Sequence, residues 1–378
     1  MKCDYLVVGA GAFGLVVAER LANQSGAEVV VIERRDHIGG NCYSRRDPIT
    51  GIEYHVYGTH IYHTSSRVVN DYVSRFTEIN GYHHQVLTMH RGRNRVYQMP
   101  INLDTINAFY RGYYTPEQAR KIIASELAKE SYPNPRNLQE KAISLIGRPL
   151  YEAFIRGYTI KQWEMDPTEL PAEIITRLPV RFDYCRSYFN ESRWQGIPLD
   201  GYTRMFERMI DSPRIKVETQ CDFFDHRDEF DVKRCTIFTG PIDRYFDYCH
   251  GKLEWRAVEF TQEVVDTGDF QGTSVMNYAD AEVPFTRIHE PRHLHPEREY
   301  PQSRSIIFRE TSKHESDDPY YPINTARNRT ILAQYQEMAA KLPDVIFGGR
   351  LGGYAYYDMD RTVLAALECY EKRIAPGG

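Results

Sequence analysis

Three glycines, Gly9, Gly11 and Gly14, stand at the spacing GxGxxG inside "DYLVVGAGAFGLVVAERL". The first permits a tight turn, the second lets the backbone approach a pyrophosphate, and the third lets helix and strand pack closely. The same spacing also occurs as a plain glycine turn in an α/β core. Glu33 follows at the distance of an acid that accepts hydrogen bonds from a ribose diol, and its charge disfavours a 2′-phosphate. "ERRDHIGGN" (33–41) adds a second glycine turn directly after that acid. Such a turn lets the chain run along a cofactor toward a flavin, which favours FAD over NAD.

Three other groupings invite a chemical reading. His55, His60 and His63 are spaced H-x4-H-x2-H. That fits no standard zinc site and no carboxylate or thiolate joins it, so no metal is expected. Asp358 and Asp360 could form a carboxylate pair, but both fall before a helix, where Asp commonly caps backbone N–H groups. Asp360 is expected to cap. No Ser/His/Asp arrangement stands out. "FGGRLGGYAYYDM" (347–359) is another strand–glycine–helix unit, like the opening one, but carrying Arg350, Tyr356 and Asp358.

These residues need elements to hold them. Residues 4–9 read as a buried parallel strand, 12–24 as a helix and 27–35 as a second strand, a βαβ unit. Residues 52–64 look extended. Helical periodicity runs from Pro116 through Ala128 and again over 137–163, with prolines at 116, 133, 135 and 149 as punctuation. Over 254–310 apolar residues alternate, as in antiparallel strands. Interleaved segment types imply domains built from non-contiguous pieces.

At 378 residues the chain has room for two or three cores. A net charge of −5 gives no global attraction to nucleic acid or anionic membrane. The seven cysteines are scattered, with no metal or CxxC spacing, which points to free thiols in a reducing cytoplasm. No apolar run reaches membrane-span length, and no signal peptide is read. The 28 tyrosines suit both core packing and stacking on bases and sugars.

Nine motifs in order, "ERRDHIGGN", "YGTHIYHT", "GYTIKQW", "LPVRF", "WQGIPLDGYT", "TGPIDRYFDY", "VPFTRI", "DPYYPIN" and "FGGRLGGYAYYDM", resemble those of bacterial UDP-galactopyranose mutases over roughly residues 4–370. The resemblance implies an α/β fold: a Rossmann-like FAD-binding domain, an inserted helical-bundle domain and an antiparallel β-sheet domain. The expected boundaries are 1–66, 199–249 and 326–378 for the first, 102–176 for the second, and 67–101, 177–198 and 250–325 for the third. The implied reaction interconverts UDP-galactopyranose and UDP-galactofuranose, for galactofuranose-containing surface glycans. It requires reduced FAD, whose N5 forms a covalent adduct with the anomeric carbon, and it has no net redox change. A homodimer in the cytoplasm is expected, with no nucleic-acid partner. The competing readings are an amine-oxidase-like FAD enzyme, a non-catalytic nucleotide-sugar module that retains FAD, and a mutase for another UDP-hexose.

Residue roles follow from the same resemblance. Arg177 and Arg287 match diphosphate-binding arginines, with Arg177 on a loop that closes, and with His60 and His63 they make up the expected catalytic set. Tyr188, Tyr321 and Tyr356 match phosphate-binding tyrosines, with Tyr320 and Tyr357 as the adjacent alternatives. Tyr158 matches the tyrosine that stacks on uracil, and Phe154, Thr159, Trp163, Asn277, Arg256 and Asp358 complete the substrate set. Phe154 and Tyr158 share a helical face, so a core stripe is the competing reading. His60 is expected against the flavin and His63 behind it. Cofactor contacts are implied for Gly9, Gly11, Phe13, Gly14, Glu33, Arg34, Gly40, Asn41, Thr59, His60, Ile61, Arg350, Tyr357, Asp358 and Met359. Family members differ at His84, some carrying Asn there, and no role is assigned to it; Arg181 is read as structural.

Overall fold

The computed structural model describes residues 1–175, 180–189, 191–313 and 318–375. In chain order its strands are β1 (Lys2–Val8), β2 (Val29–Ile32), β3 (Ser44–Arg46), β4 (Glu53–His55), β5 (Tyr62–Thr64), β6 (Val86–His90), β7 (Arg95–Met99) and β8 (Trp194–Gly196). There follow β9 (Ile215–Glu218), β10 (Asp231–Phe238), β11 (Trp255–Val265), β12 (Val275–Tyr278), β13 (Arg287–His289), β14 (Ser305–Lys313), β15 (Tyr321–Pro322) and β16 (Val345–Phe347).

Short β-branched runs make the first layer. β1 and β2 are almost wholly buried and pair in parallel, and the complete order is β16-β10-β1-β2-β9, parallel throughout. Fully covered strands of this kind read as continuous apolar runs. The helix Ala12–Gln24 crosses from β1 to β2 and is buried on nearly every side. It packs against the helix Met359–Cys369 near the other end of the chain.

The second layer has the order β15-β11-β14-β13-β12-β6-β7. It is antiparallel except for the β6–β12 pair, which is parallel. Helices Leu103–Tyr110, Pro116–Lys129, Leu138–Ile146 and Gly157–Trp163 form a third unit with its own core, to which Val86, Tyr97 and Met99 also contribute. A π-helical turn, Glu152–Arg156, leads into the last of these helices.

Two details differ from the expectations. The expected antiparallel domain includes residues 67–101, but Val69, Tyr72, Val73, Phe76 and Tyr82 pack into the parallel-sheet core. Only from Val86 does the chain enter the seven-stranded sheet. The helix expected to be capped by Asp360 begins two residues earlier than that cap requires, at Met359, so Asp358 holds the N-cap position. Asp360 lies in the first turn, where its carboxylate accepts from the Thr64 hydroxyl at 3.2 Å and from the Arg361 N–H at 2.7 Å. Among the described residues no helix is long and apolar enough to cross a membrane.

Candidate active site

The carboxyl ends of the parallel strands open on a cavity of about 650 Å³. Open α/β sheets bind ligands at this edge, outside the carboxyl ends of their strands. The turn after β1 feeds the N-terminus of helix Ala12–Gln24, whose N-cap is Gly11, with no side chain capping it. Uncapped N–H groups of a helix start favour an anion. The second glycine turn lies directly against the first: the Gly39 N–H donates to the Ala10 carbonyl at 2.7 Å. Glu33, at the end of β2, accepts from Ala10 N–H at 2.9 Å and Arg35 N–H at 3.0 Å, which fixes its carboxylate at the cavity wall.

The late glycine turn closes the same cavity from the other side. The Phe13 ring fills the place where a Cβ on Gly348 would stand, 2.3 Å from the nearest ring atom. Arg350 reaches across with one amino group on the Tyr320 carbonyl (3.0 Å) and the other on the Tyr357 carbonyl (2.7 Å). Its guanidinium lies 5.7–5.8 Å from the rings of Tyr321 and Tyr356, which are stacked 5.8 Å apart.

His60 borders this end of the cavity. Its Nδ1 lies 2.7 Å from the Gly58 carbonyl, which accepts only a donor, so Nδ1 carries the hydrogen and Nε2 keeps its lone pair. Burial, opposed by the Gly58 bond and reinforced by Arg350, lowers its pKa to about 4. His55 accepts from the His60 N–H at 3.0 Å, and burial lowers its own pKa to about 3.

A row of side chains on the seven-stranded sheet meets this end. Asn277 on β12 stands opposite Arg287 on β13, and Arg287 opposite Glu310 on β14. Directly opposed residues of antiparallel strands share a face, so the three form one stripe. Burial raises the pKa of a carboxyl, but Arg287 and His289, with the Thr286 hydroxyl, outweigh it and hold Glu310 down at about 2. Its oxygens accept from Arg287 (3.3 Å), His289 Nε2 (2.9 Å) and the Thr286 hydroxyl (3.0 Å). His289 Nδ1 in turn meets the Thr59 hydroxyl at 2.8 Å. A continuous hydrogen-bond chain therefore runs from the residue preceding His60 to Arg287.

Aromatic rings face this stripe. The Arg287 guanidinium lies 5.7 Å from the Tyr158 ring. Burial pushes the Tyr158 phenol above its ordinary value; Arg287 opposes this, and nearby Glu310, Tyr188 and Tyr321 add to it. Arg256 is buried over Trp163 at 5.5 Å, with an amino group 3.3 Å from Glu164 and its Nε without an acceptor among the described residues. The Asn277 Oδ1 is likewise buried and has no partner among the described residues. Buried polar atoms without partners are rare in folded proteins and mark places where a ligand or water completes the bonding.

Of the cofactor residues expected from sequence, Gly9, Gly11, Phe13, Gly14, Glu33, Arg34, Gly40, Asn41, His60, Arg350 and Met359 line the cavity. Thr59, Ile61, Tyr357 and Asp358 do not line it. Thr59 turns to His289, Ile61 packs on the parallel-sheet core, and Tyr357 offers its carbonyl to Arg350. Among the substrate residues, Tyr158, Trp163, Arg256, Asn277, Arg287, Tyr321 and Tyr356 gather as described. Thr159 is buried beside Tyr158. Phe154 is 5% exposed and packs against Tyr97 and Phe109, inside the helical core. Tyr188 is half-exposed and bonded through its N–H to the His84 carbonyl. His63 stacks on Phe189 at 3.7 Å and meets Ser192 at 3.2 Å, and it does not line the cavity that His60 borders. Arg177 lies outside the described residues.

Sequence reasoning missed Glu310, which only strand register brings to Arg287, and His289, which stands two residues along the same strand and bonds to Glu310. It also missed the cavity wall at Asp222, Phe223, Arg244 and Lys252. The rule that ligands sit at the ends of parallel strands, applied to β9 and β10, would have found that wall. Among the described residues, the one histidine–carboxylate group close enough for a metal is Asp269, Glu290 and His293. Its oxygens already accept from the N–H groups of Phe270, Gln271 and Gly272.

A family model described as GLF, UDP-galactopyranose mutase, matches residues 153–356, more than half of the chain. The chain belongs to the UDP-galactopyranose mutase family. A model of NAD(P)-binding Rossmann-like domains matches residues 7–76. The probable UDP-galactopyranose mutase of Klebsiella pneumoniae is 42% identical over 97% of this chain and 93% of its own length. The dTDP-fucopyranose mutase of Escherichia coli is 36% identical over 96% of each. A crystal structure of a reduced UDP-galactopyranose mutase superposes with a TM-score of 0.76 at 16% identity, covering 99% of this chain and 95% of that one, and shows the shared fold. As a member of this mutase family the protein is an enzyme, an isomerase of the flavoprotein type.

Proposed function

We propose that the protein interconverts UDP-galactopyranose and UDP-galactofuranose, with FAD in the long cavity and its flavin at the His60–Arg350 end. One observation carries this reading: an arginine–tyrosine stripe (Arg287, Tyr158, Tyr321, Tyr356) meets that end of a cavity lined by the glycine turns and Glu33. The donor set fits the cofactor, with an uncapped helix start for the pyrophosphate and Glu33 for a ribose. When bound and reduced, the flavin supplies the nucleophile for the anomeric carbon.

The chain's own residues hold the rest. Arg287, kept cationic by Glu310, and the unpartnered Nε of Arg256 suit a diphosphate that must stay put while detached from its sugar. Arg177 is assigned to the same task by the family motif. The Tyr158 face suits uracil, with Trp163 and Asn277 beside it. The hydroxyls of Tyr188, Tyr321 and Tyr356 suit phosphate oxygens. Asp358, which adjoins the Tyr356 hydroxyl, suits a sugar hydroxyl. Arg350 places positive charge where an anionic reduced flavin would lie.

The test is direct. Protein loaded with FAD and reduced by dithionite should convert UDP-galactofuranose to UDP-galactopyranose without net use of reductant. Oxygen consumption with an amine, and an untouched UDP-sugar, would overturn the reading. A second reading is favoured by the Escherichia coli relative: a dTDP-linked 6-deoxyhexose as substrate. Comparing kcat/KM for the UDP-hexose and the dTDP-deoxyhexose decides between them.

A further inference from the structure

The helix that carries Tyr158 makes an unusual joint with the seven-stranded sheet. The chain turns from β12 to β13 through residues 279–284, and the Lys161 ammonium sits at the neck of that turn. It donates to the Tyr278 carbonyl at 2.7 Å and to the Phe285 carbonyl at 2.9 Å, one on each side. Tyr278 directly follows Asn277, and Phe285 precedes Arg287 by two residues. Gly157 lies one helical turn before Lys161, on the same face. A Cβ there would stand 2.3 Å from the Ala279 carbonyl oxygen and 3.0 Å from the Ala281 nitrogen. The helix thus touches the turn backbone to backbone at one point and holds it with an ammonium at the other. From its outer side the turn is braced by Asp280, which accepts the Arg91 N–H at 2.8 Å.

We infer that Lys161 is a positioning residue for nucleotide binding: with Gly157 it sets the distance between the Tyr158 ring and the Asn277–Arg287 pair. The inference rests on the functional reading above. An ammonium half-buried against two carbonyls is a costly choice if its only task is to cover a turn, because an apolar side chain would fill that space without desolvating a charge. Burial lowers the Lys161 pKa to about 8 even though Asp280 and Glu282 oppose the fall. Tyr158 and Lys161 sit three residues apart on one helix, so a shift of the joint moves the ring relative to the guanidinium.

The experiment measures UDP binding to the oxidised, FAD-loaded protein by calorimetry, and then kcat and KM on the reduced protein. Lys161→Met should weaken UDP binding about tenfold and raise KM by a similar factor, with kcat within about twofold of wild type. Lys161→Arg, which still offers two N–H donors to the two carbonyls, should recover most of the affinity. Gly157→Ala should weaken UDP binding in the same direction by pushing the turn away, and it decides the matter if Lys161→Met does not fold. UDP affinity unchanged in Lys161→Met or in Gly157→Ala overturns the inference, as does a fall in kcat with KM unmoved. If the wild-type protein itself retains FAD and binds no UDP, the functional reading fails and takes this inference with it.

Discussion

Arg287 is held by a carboxylate that has lost its freedom to protonate. Because Glu310 stays ionised far below neutral pH, the guanidinium is fixed in place before any phosphate arrives. Arg287→Ala should abolish nearly all turnover while bound FAD, read from its visible absorbance, is retained; near-normal turnover would remove Arg287 from the site. The buried histidines give a second prediction at this scale. His55, His60 and His84 have folded-state pKa values of about 3, 4 and 3, below the ordinary value of about 6.5, chiefly through burial. The unfolded chain therefore binds protons that the native one refuses. Stability is full above pH 6.5 and falls as pH drops toward 4, by up to about 1.4 kcal/mol per pH unit for each such histidine. Glu310 works in the same sense at lower pH: its contribution is full above the ordinary carboxylate range and is lost as pH falls below about 4.5. A melting-temperature series from pH 8 to 5 should decline below 6.5, and His84→Gln should flatten it. The glycines and Glu33 were legible because their roles follow from backbone geometry and a short spacing. Glu310 was not, because only the pairing of β13 with β14 makes it a neighbour of Arg287, and the part of His289, two residues along β13, appears only through its bond to Glu310.

At the scale of elements, periodicity located the first helix to the residue and the helix beginning at Pro116. Partners were harder to foresee. β5 pairs with β8 across a long sequence gap, Tyr62 facing Gly196, and nothing local records that. The motif "YEAFIRGYTIKQW" is where the two competing readings of one helical face part. Phe154, inside the π-helical turn, belongs to the core of the helical unit, while Tyr158 faces Arg287. The inserted residue of a π turn rotates the two positions apart, and such turns often accompany functional sites. Phe154→Ala should accordingly cost about 3–5 kcal/mol of stability by denaturant titration, as large-to-small core changes do. Phe154→Leu should cost far less and leave KM for the sugar nucleotide near wild type. A large KM effect without a stability loss would place Phe154 in the site instead.

For the whole molecule, the cavity is walled by segments from the start, middle and end of the chain: Gly9–Gly14, Thr239–Asp243 and Gly349–Met359 all contribute. A ligand that touches so many parts binds the native state and no unfolded one. Saturating FAD, at about a hundred times its dissociation constant, should therefore stabilise the protein by about 2.7 kcal/mol. Differential scanning fluorimetry with and without FAD measures this, and an unchanged transition would argue against the cavity as the cofactor's place. Three layers were readable from texture alone; their joints were not, since residues 67–82 join a core that their sequence neighbours leave.

The contact of Phe13 with Gly348 also sets a timetable. A ribosome delivers the first glycine turn long before its partner, and β1 must wait for β10, and β10 for β16, before the parallel sheet is complete. Pairings between such distant segments form slowly. A nascent chain arrested before β16 emerges should hold no flavin, whatever the cofactor's concentration, and loading should begin only when the last strand is free. Pulse-labelled, stalled chains of increasing length, assayed for flavin fluorescence quenching, would show one late step rather than a gradual rise.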